Sequence, residues 1–406
     1  MSFLKANAEL KQTVQKLWPE YLGDAFFVPV LSLSYGDVVS DCPQRIGKFL
    51  RCSPAQVAAE IIANLPTNFS GQCSFENDFL NAFLVPLAES WDERERSFSV
   101  VTETLPTKIS VVLPSFSRYA SKDEFFRLSA LAALHFVSAR ICGVATDITF
   151  GAKKVLNFED EISLKKIYSE IFWQIKQMQE LSGVELKEEL YSVLEDRKEV
   201  KTHLWLAPSS IKKREFNQLY HEKVATCDNV QLSCPQRGWL SGCDDLSDLK
   251  NLEEWSEKDL MALCFYLAGE KQGVDLQLCT AKFAESDNLL WLLSSLAIRF
   301  KRLSLKKSAS VVPDYRKVPE KLGFLMRRGF FLPFFLKDAA LNGNVREYVL
   351  VLSQFLYGVL EVAGDPLLRI ALDQGKISDE IGEILTGVDS ILSDTIKTWG
   401  TWLGES

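Results

Sequence analysis

The sequence predicts a mixed fold in three successive parts: an α+β N-terminal part, a reduced α/β middle and an all-α C-terminal helical bundle. Three observations predict it. Apolar residues after Pro319 recur at the three-then-four spacing of a helical face. A β-branched run, Ile109 to Leu113, is followed by a loop and then by a strongly apolar helical stretch ending near Gly143. Ahead of both, helical stretches alternate with short extended runs and turn residues. The segments expected to be domains are 1–95, 96–285 and 286–406.

Taken in order, residues 1–22 form an amphipathic helix through Leu4, Leu10, Val14, Leu17 and Trp18, and Val28 to Leu33 is a strand ending at Tyr35-Gly36-Asp37. A helical segment with Ile46, Phe49 and Leu50 breaks at Cys52-Ser53-Pro54. A new helix begins there, because a serine cap followed by proline is a helix-start signal. Phe75 to Leu84 has the composition of one strand. The Ile109–Leu113 strand, a loop at Pro114–Ser121 and a helix carrying Phe125, Phe126, Leu128, Leu131, Leu134 and Val137 come next. The middle holds a charged helical stretch, 162–201, and an acidic one, 244–259. Asn288 to Phe300 is a helix, and an aromatic-rich run from Leu322 to Phe335 precedes a helix starting at Val345 that Asp365-Pro366 stops. A last helix from Ile377 to Leu403 has Ser378 and Asp379 as caps.

The 406 residues are 47% hydrophobic and 25% charged, with a net charge of −8. That balance excludes a generally basic nucleic-acid coat, so contact with a polyanion must come from a local patch. Such a patch is present. Between Arg299 and Arg328 there are ten Lys/Arg against Asp314 and Glu320, a local balance of +8. Each phosphate neutralised by such a stripe releases counterions and adds affinity; the alternative is a solvated helix face. No run of eighteen apolar residues occurs, and Lys5, Glu9, Lys11 and Lys16 interrupt the N-terminal apolar residues, so no membrane contact and a cytoplasmic location are expected.

Nine cysteines, an odd number in a long chain, suit a reducing compartment. Cys227, Cys234 and Cys243, with His221 upstream, lack the tight C-x-x-C knuckle of structural zinc, so no metal is expected. His135, between Leu134 and Phe136, has the setting of a core histidine.

The order Tyr35-Gly36-Asp37, helix, Ser53-Pro54-Ala55-Gln56-Val57-Ala58-Ala59-Glu60-Ile61-Ile62, then Phe79-Leu80-Asn81-Ala82-Phe83-Leu84 resembles the N-terminal additional domain of arginyl-tRNA synthetases. The helix order after Pro319, with Tyr348 to Gln354, is similar to the DALR anticodon-binding domain of that family. Arg346 lies close to the eponymous arginine, while aligning Tyr348 puts Asn344 there. The strand–loop–helix at 109–143 is similar to the opening of a class I synthetase catalytic domain. Where that class places His-(small)-Gly-His around the ATP phosphates, this chain has Lys122-Asp123-Glu124-Phe125: no histidine, no glycine, and two carboxylates that repel a triphosphate. No KMSKS-like tetrad follows.

The resemblance therefore implies a shortened catalytic-like middle between two tRNA-touching ends, with no cofactor and no catalytic residue. The expected partner is tRNA, with arginine isoacceptors first, and beyond it a tRNA-modifying enzyme or a synthetase. The residues expected at RNA are Arg299, Arg302, Lys306, Lys307, Arg327 and Arg328 for phosphates. Arg346 and Tyr348 are expected at the anticodon surface, with Tyr348 equally suited to a core. Two alternatives remain: a divergent arginine-tRNA ligase, and a protein-interaction scaffold that has lost RNA.

Overall fold

The computed structural model describes residues 2–88, 93–94, 108–113, 122–150, 154–157, 164–177, 202–206, 230–233, 255–269, 289–300 and 314–403. The chain divides into two compact units. The first comprises Met1–Glu103, Leu296–Phe334 and Tyr357–Asp394; the second comprises Thr104–Ser295, Phe335–Leu356 and Thr395–Ser406.

In the first unit, α1 (Phe3–Leu17) stops short of the helix expected over 1–22 and buries Phe3, Ala6, Leu10, Thr13 and Val14; of the expected stripe Leu10, Val14 and Trp18 are buried, while Leu4 and Leu17 are only half-buried. Then come β1 (Val28–Pro29), β2 (Val38–Ser40), α2 (Cys42–Leu50), α3 (Pro54–Asn64), the single turn α4 (Thr67–Ser70), β3 (Cys73–Glu76) and β4 (Phe79–Ala82). The strands form an antiparallel sheet in the order β1-β2-β4-β3. At the start of α3, Gln56 N donates to Ser53 Oγ and Ser53 N donates to Gln56 Oε1, both at 3.2 Å, a reciprocal capping box.

The stretch Phe75–Leu84, expected as one strand, is a hairpin. Its turn residues Asn77 and Asp78 have φ of 54° and 66°, the left-handed pair of a two-residue hairpin turn, which Asn and Asp tolerate better than other side chains. The strand at Val28–Leu33 ends at Pro29. Beyond it the carbonyls of Val30, Leu31, Leu33 and Gly36 accept hydrogen bonds from arginine side chains.

The second unit opens with β5 (Lys108–Leu113), α5 (Lys122–Ile141), β6 (Ala145–Phe150), β7 (Lys154–Asn157), α6 (Leu164–Gln177), β8 (Thr202–Leu206), β9 (Val230–Ser233) and α7 (Glu257–Gly269). The sheet order is β7-β6-β5-β8-β9, parallel throughout except for the edge strand β7. Chain order reverses between β5 and β8, and at such a switch point an open α/β sheet presents a crevice at the carboxyl ends of its strands. The expected α/β middle is thus a parallel sheet. Residues Phe125 to Ala139 of α5 are all buried, because β5, β6, α6 and α7 pack around it. It ends at Gly143, whose φ of 77° suits glycine. The same strands bury the polar residues Ser110, Thr146, Asp147 and Thr149: Asp147 accepts from Ser110 Oγ at 2.7 Å and meets Lys108 Nζ at 3.2 Å, and Ser110 Oγ lies 3.1 Å from Thr149 Oγ1.

The remaining helices are α8 (Leu289–Phe300), α9 (Glu320–Phe330) after a 3-10 turn at Tyr315–Lys317, α10 (Leu332–Asn342), α11 (Val345–Gly364), α12 (Pro366–Asp373) and α13 (Asp379–Leu403). By length and composition α11 would suffice to cross a membrane, but half of the relevant stretch is buried within the protein. Asp365-Pro366 ends α11 as expected and also starts α12, since the Asp365 carboxylate caps Leu367 N and Leu368 N. In α13, Ile384, Leu385, Val388, Ile391, Leu392 and Trp399 are buried, and Ser378 Oγ accepts from Ile381 N at 3.4 Å.

Candidate functional site

Charge counting brings Arg327 and Arg328 forward as phosphate contacts; the structure puts both guanidiniums to work inside the first unit. They lie in the last turn of α9. Arg327 Nε donates to Asp37 Oδ1, and its NH2 donates to Gly36 O at 2.9 Å and Leu33 O at 3.3 Å. Arg328 donates to Val30 O at 3.1 Å and to Leu31 O. Burial, with the neighbouring Arg327 charge, lowers the Arg328 pKa to about 10. The rings of Tyr315 and Phe83 lie 5.0 and 5.9 Å from the Arg327 guanidinium, and Phe324 lies 5.4 Å from that of Arg328.

Asp37 is the centre of this arrangement. Its carboxylate is fully buried and accepts from Leu84 N at 2.7 Å, from Tyr315 OH at 2.6 Å and from Arg327. Burial first, then the Asp37 charge, pushes the Tyr315 phenol far above its usual range, so it stays a donor. Gly36 is required beside it: a Cβ there would stand 2.7 Å from Ala82 O. Arg94 completes the clamp by donating to the α9 carbonyls Phe330 O, at 3.1 Å, and Gly329 O, at 3.4 Å. Asp37 and Tyr315 were not among the sequence-predicted site residues. The signal for them was Tyr35-Gly36-Asp37 itself, a close-approach glycine next to a carboxylate.

The other expected RNA contacts fall into three groups. Arg299 sits on α8 with its side chain outside the described residues, and Arg302, Lys306 and Lys307 lie outside them altogether, as do Cys227, Cys234, Cys243 and His221. Arg346 is partly exposed in the first turn of α11. Tyr348 is in the core of the second unit: its OH accepts from Trp399 Nε1 at 2.6 Å, their rings stack at 6.0 Å, and burial raises its pKa. Elsewhere in the basic stripe, Arg316 and Lys317 are exposed, Arg316 pairing with Asp314, and Lys321 pairs with Glu361 on the surface.

The Lys122-Asp123-Glu124-Phe125 stretch forms the first turn of α5, directly after the carboxyl end of β5. The sheet topology therefore carries two acids to the switch-point end, where a helix N-terminus attracts negative charge. Phe125 is buried. His135 is a core residue: buried in α5, it shares a hydrogen bond between Nδ1 and Ala339 O at 2.8 Å, and burial lowers its pKa to about 4. Among the described residues no group of His, Cys, Asp or Glu could hold a metal ion.

No protein-family model matches the chain, and no curated protein matches it. Among solved structures, the arginyl-tRNA synthetase of Thermus thermophilus is similar to it with a TM-score of 0.49 and 10% sequence identity, the likeness covering 100% of this chain and 99% of that one.

Proposed function

We propose that the chain is a non-catalytic, arginyl-tRNA synthetase-like protein of the cytoplasm that binds tRNA, arginine isoacceptors first, and serves as an adaptor for a tRNA-processing or tRNA-modifying partner. The three segments 1–95, 96–285 and 286–406 are its additional-type, reduced catalytic-like and anticodon-binding-type parts. The observation that carries the reading is the local charge. Arg299, Lys301, Arg302, Lys306 and Lys307 place five cations in a stretch without an acid, in a chain of net charge −8. The ordered resemblance of both ends to the synthetase supports it. So does the pair Asp123 and Glu124 where the family holds ATP phosphates, which speaks against adenylate formation. Arg346 remains a proposed contact. Arg327, Arg328 and Tyr348 leave the set, because their polar groups serve the protein's own packing.

The test is binding of an arginine-isoacceptor transcript across a salt series. Affinity should fall steeply with salt, and replacing Arg302, Lys306 and Lys307 by alanine should flatten the logarithmic slope by about three, roughly one per lost phosphate contact. Aminoacylation with arginine and ATP–pyrophosphate exchange should stay at background. A salt-independent affinity, or measurable arginyl-adenylate, would overturn the reading.

A further inference from the structure

Helix α12 has no buried residue. Leu367 is 77% exposed and Ile370 51% exposed, and their three-residue spacing puts them on one face. An isolated helix of about two turns is marginal in water, since so few hydrogen bonds do not offset nucleation. Yet α12 is fixed at both ends. Asp365 Oδ1 accepts from Leu367 N at 2.9 Å and Leu368 N at 3.3 Å, and Arg369 turns back to donate to Ala363 O at 2.6 and 3.0 Å. At the far end Lys376 N donates to Ala371 O at 2.8 Å around Gly375, whose φ is 63°. Two large aliphatic side chains are thus held out in water on a preformed ridge.

The surroundings select what covers that ridge. From Glu361 to Glu383 the exposed acids are Glu361, which pairs with Lys321, and Asp365, Asp373, Asp379, Glu380 and Glu383, against Arg369 and Lys376. RNA is repelled by this face. A second copy of the chain meeting it symmetrically would bring the same acids together, because a two-fold contact pairs a patch with itself. We infer that α12 and its acidic rim dock a basic amphipathic helix of a protein partner, whose aliphatic side chains cover Leu367 and Ile370 while its Lys/Arg meet the carboxylates. A rigid helical ridge with anchors three residues apart suits helix-on-helix packing. These residues are separate from the RNA-facing set, so the inference stands whether or not tRNA binds.

The full chain carrying p-benzoylphenylalanine at position 367 is expressed in the cells it comes from and irradiated, and the crosslinked peptides are sequenced by mass spectrometry. The expected product joins position 367 to a peptide of another protein that is net positive and has aliphatic residues at three-to-four spacing. Ile370→Asp should lower the yield about tenfold, as loss of one interface anchor does. The combination Asp373→Lys, Asp379→Lys should lower it comparably. All three positions are exposed or only partly covered, so circular dichroism and the thermal midpoint should not change. Crosslinks only to RNA, to a second copy or to an acidic segment would overturn the inference; so would no crosslink, or a yield indifferent to the acid-to-lysine variant.

Discussion

Replacing Asp37 with asparagine separates the two roles open to Arg327, phosphate contact and internal counter-ion. The carboxylate is fully buried and takes hydrogen bonds from Leu84 N, Tyr315 OH and Arg327 Nε. An asparagine side chain keeps one acceptor oxygen and turns an NH2 toward a donor, so at least one of the three bonds becomes a donor–donor clash. Arg327, itself mostly buried, also loses its counter-charge. Breaking a buried pair by removing one partner costs about 3–5 kcal/mol. In a unit of this size each kcal/mol lowers the midpoint by about 2–4 °C, which gives a fall of about 6–20 °C. Urea and thermal unfolding, followed by circular dichroism, measure it. Arg327→Met should destabilise to a similar degree, and the double variant by much less than the sum of the two, because the residues share one interaction. The salt slope of tRNA binding should not change in either variant. The reasoning fails if the effects add to within about 0.5 kcal/mol. It also fails if Arg327→Met leaves stability intact while flattening the salt slope by about one, the mark of a phosphate contact.

Two further outcomes follow from single buried groups. The His135 pKa is lowered to about 4 by burial, against about 6.5 when unfolded, so between those values the unfolded chain binds the extra proton and stability is lost as pH falls. That window contributes about 3 kcal/mol, and His135→Asn, which keeps a donor for Ala339 O, should flatten the difference in unfolding free energy between pH 7 and pH 4.5. Tyr348→Phe strands the buried Trp399 N–H and should cost about 1–3 kcal/mol in denaturant unfolding, with tRNA affinity unchanged.

Local grammar made much of the fold legible. The Ser53-Pro54 start of α3, the spacing of α13 and the glycine end of α5 all reside within one turn of sequence, and each stands where the pattern places it. The misreadings are of another kind. In Asn77-Asp78 the turn lacks the Gly that usually advertises a two-residue hairpin, so the flanking apolar residues ran together as one strand. Asp365-Pro366 carries two signals at once, a stop for one helix and a cap for the next. Arg327 and Arg328 belong to a contact spanning 290 residues of chain, and a charge count treats every cation as solvated. Tyr348 carries its core signal in the sequence, on the apolar face of α11, and it is buried there.

The same physics sorts the charges that remain. A cation at a helix C-terminus finds backbone carbonyls and a carboxylate within reach, and Arg327 and Arg328 end α9 in that situation. An acid in the first turn of a helix finds unpaired N–H groups, and Asp123 and Glu124 open α5. In both places the helix dipole favours the charge that is present. The run from Arg299 to Lys307 differs in composition: five cations with no acid between them, and so no carboxylate of their own segment to neutralise. That difference is why the RNA reading rests on Arg299–Lys307 and leaves the end of α9 to the protein's own stability.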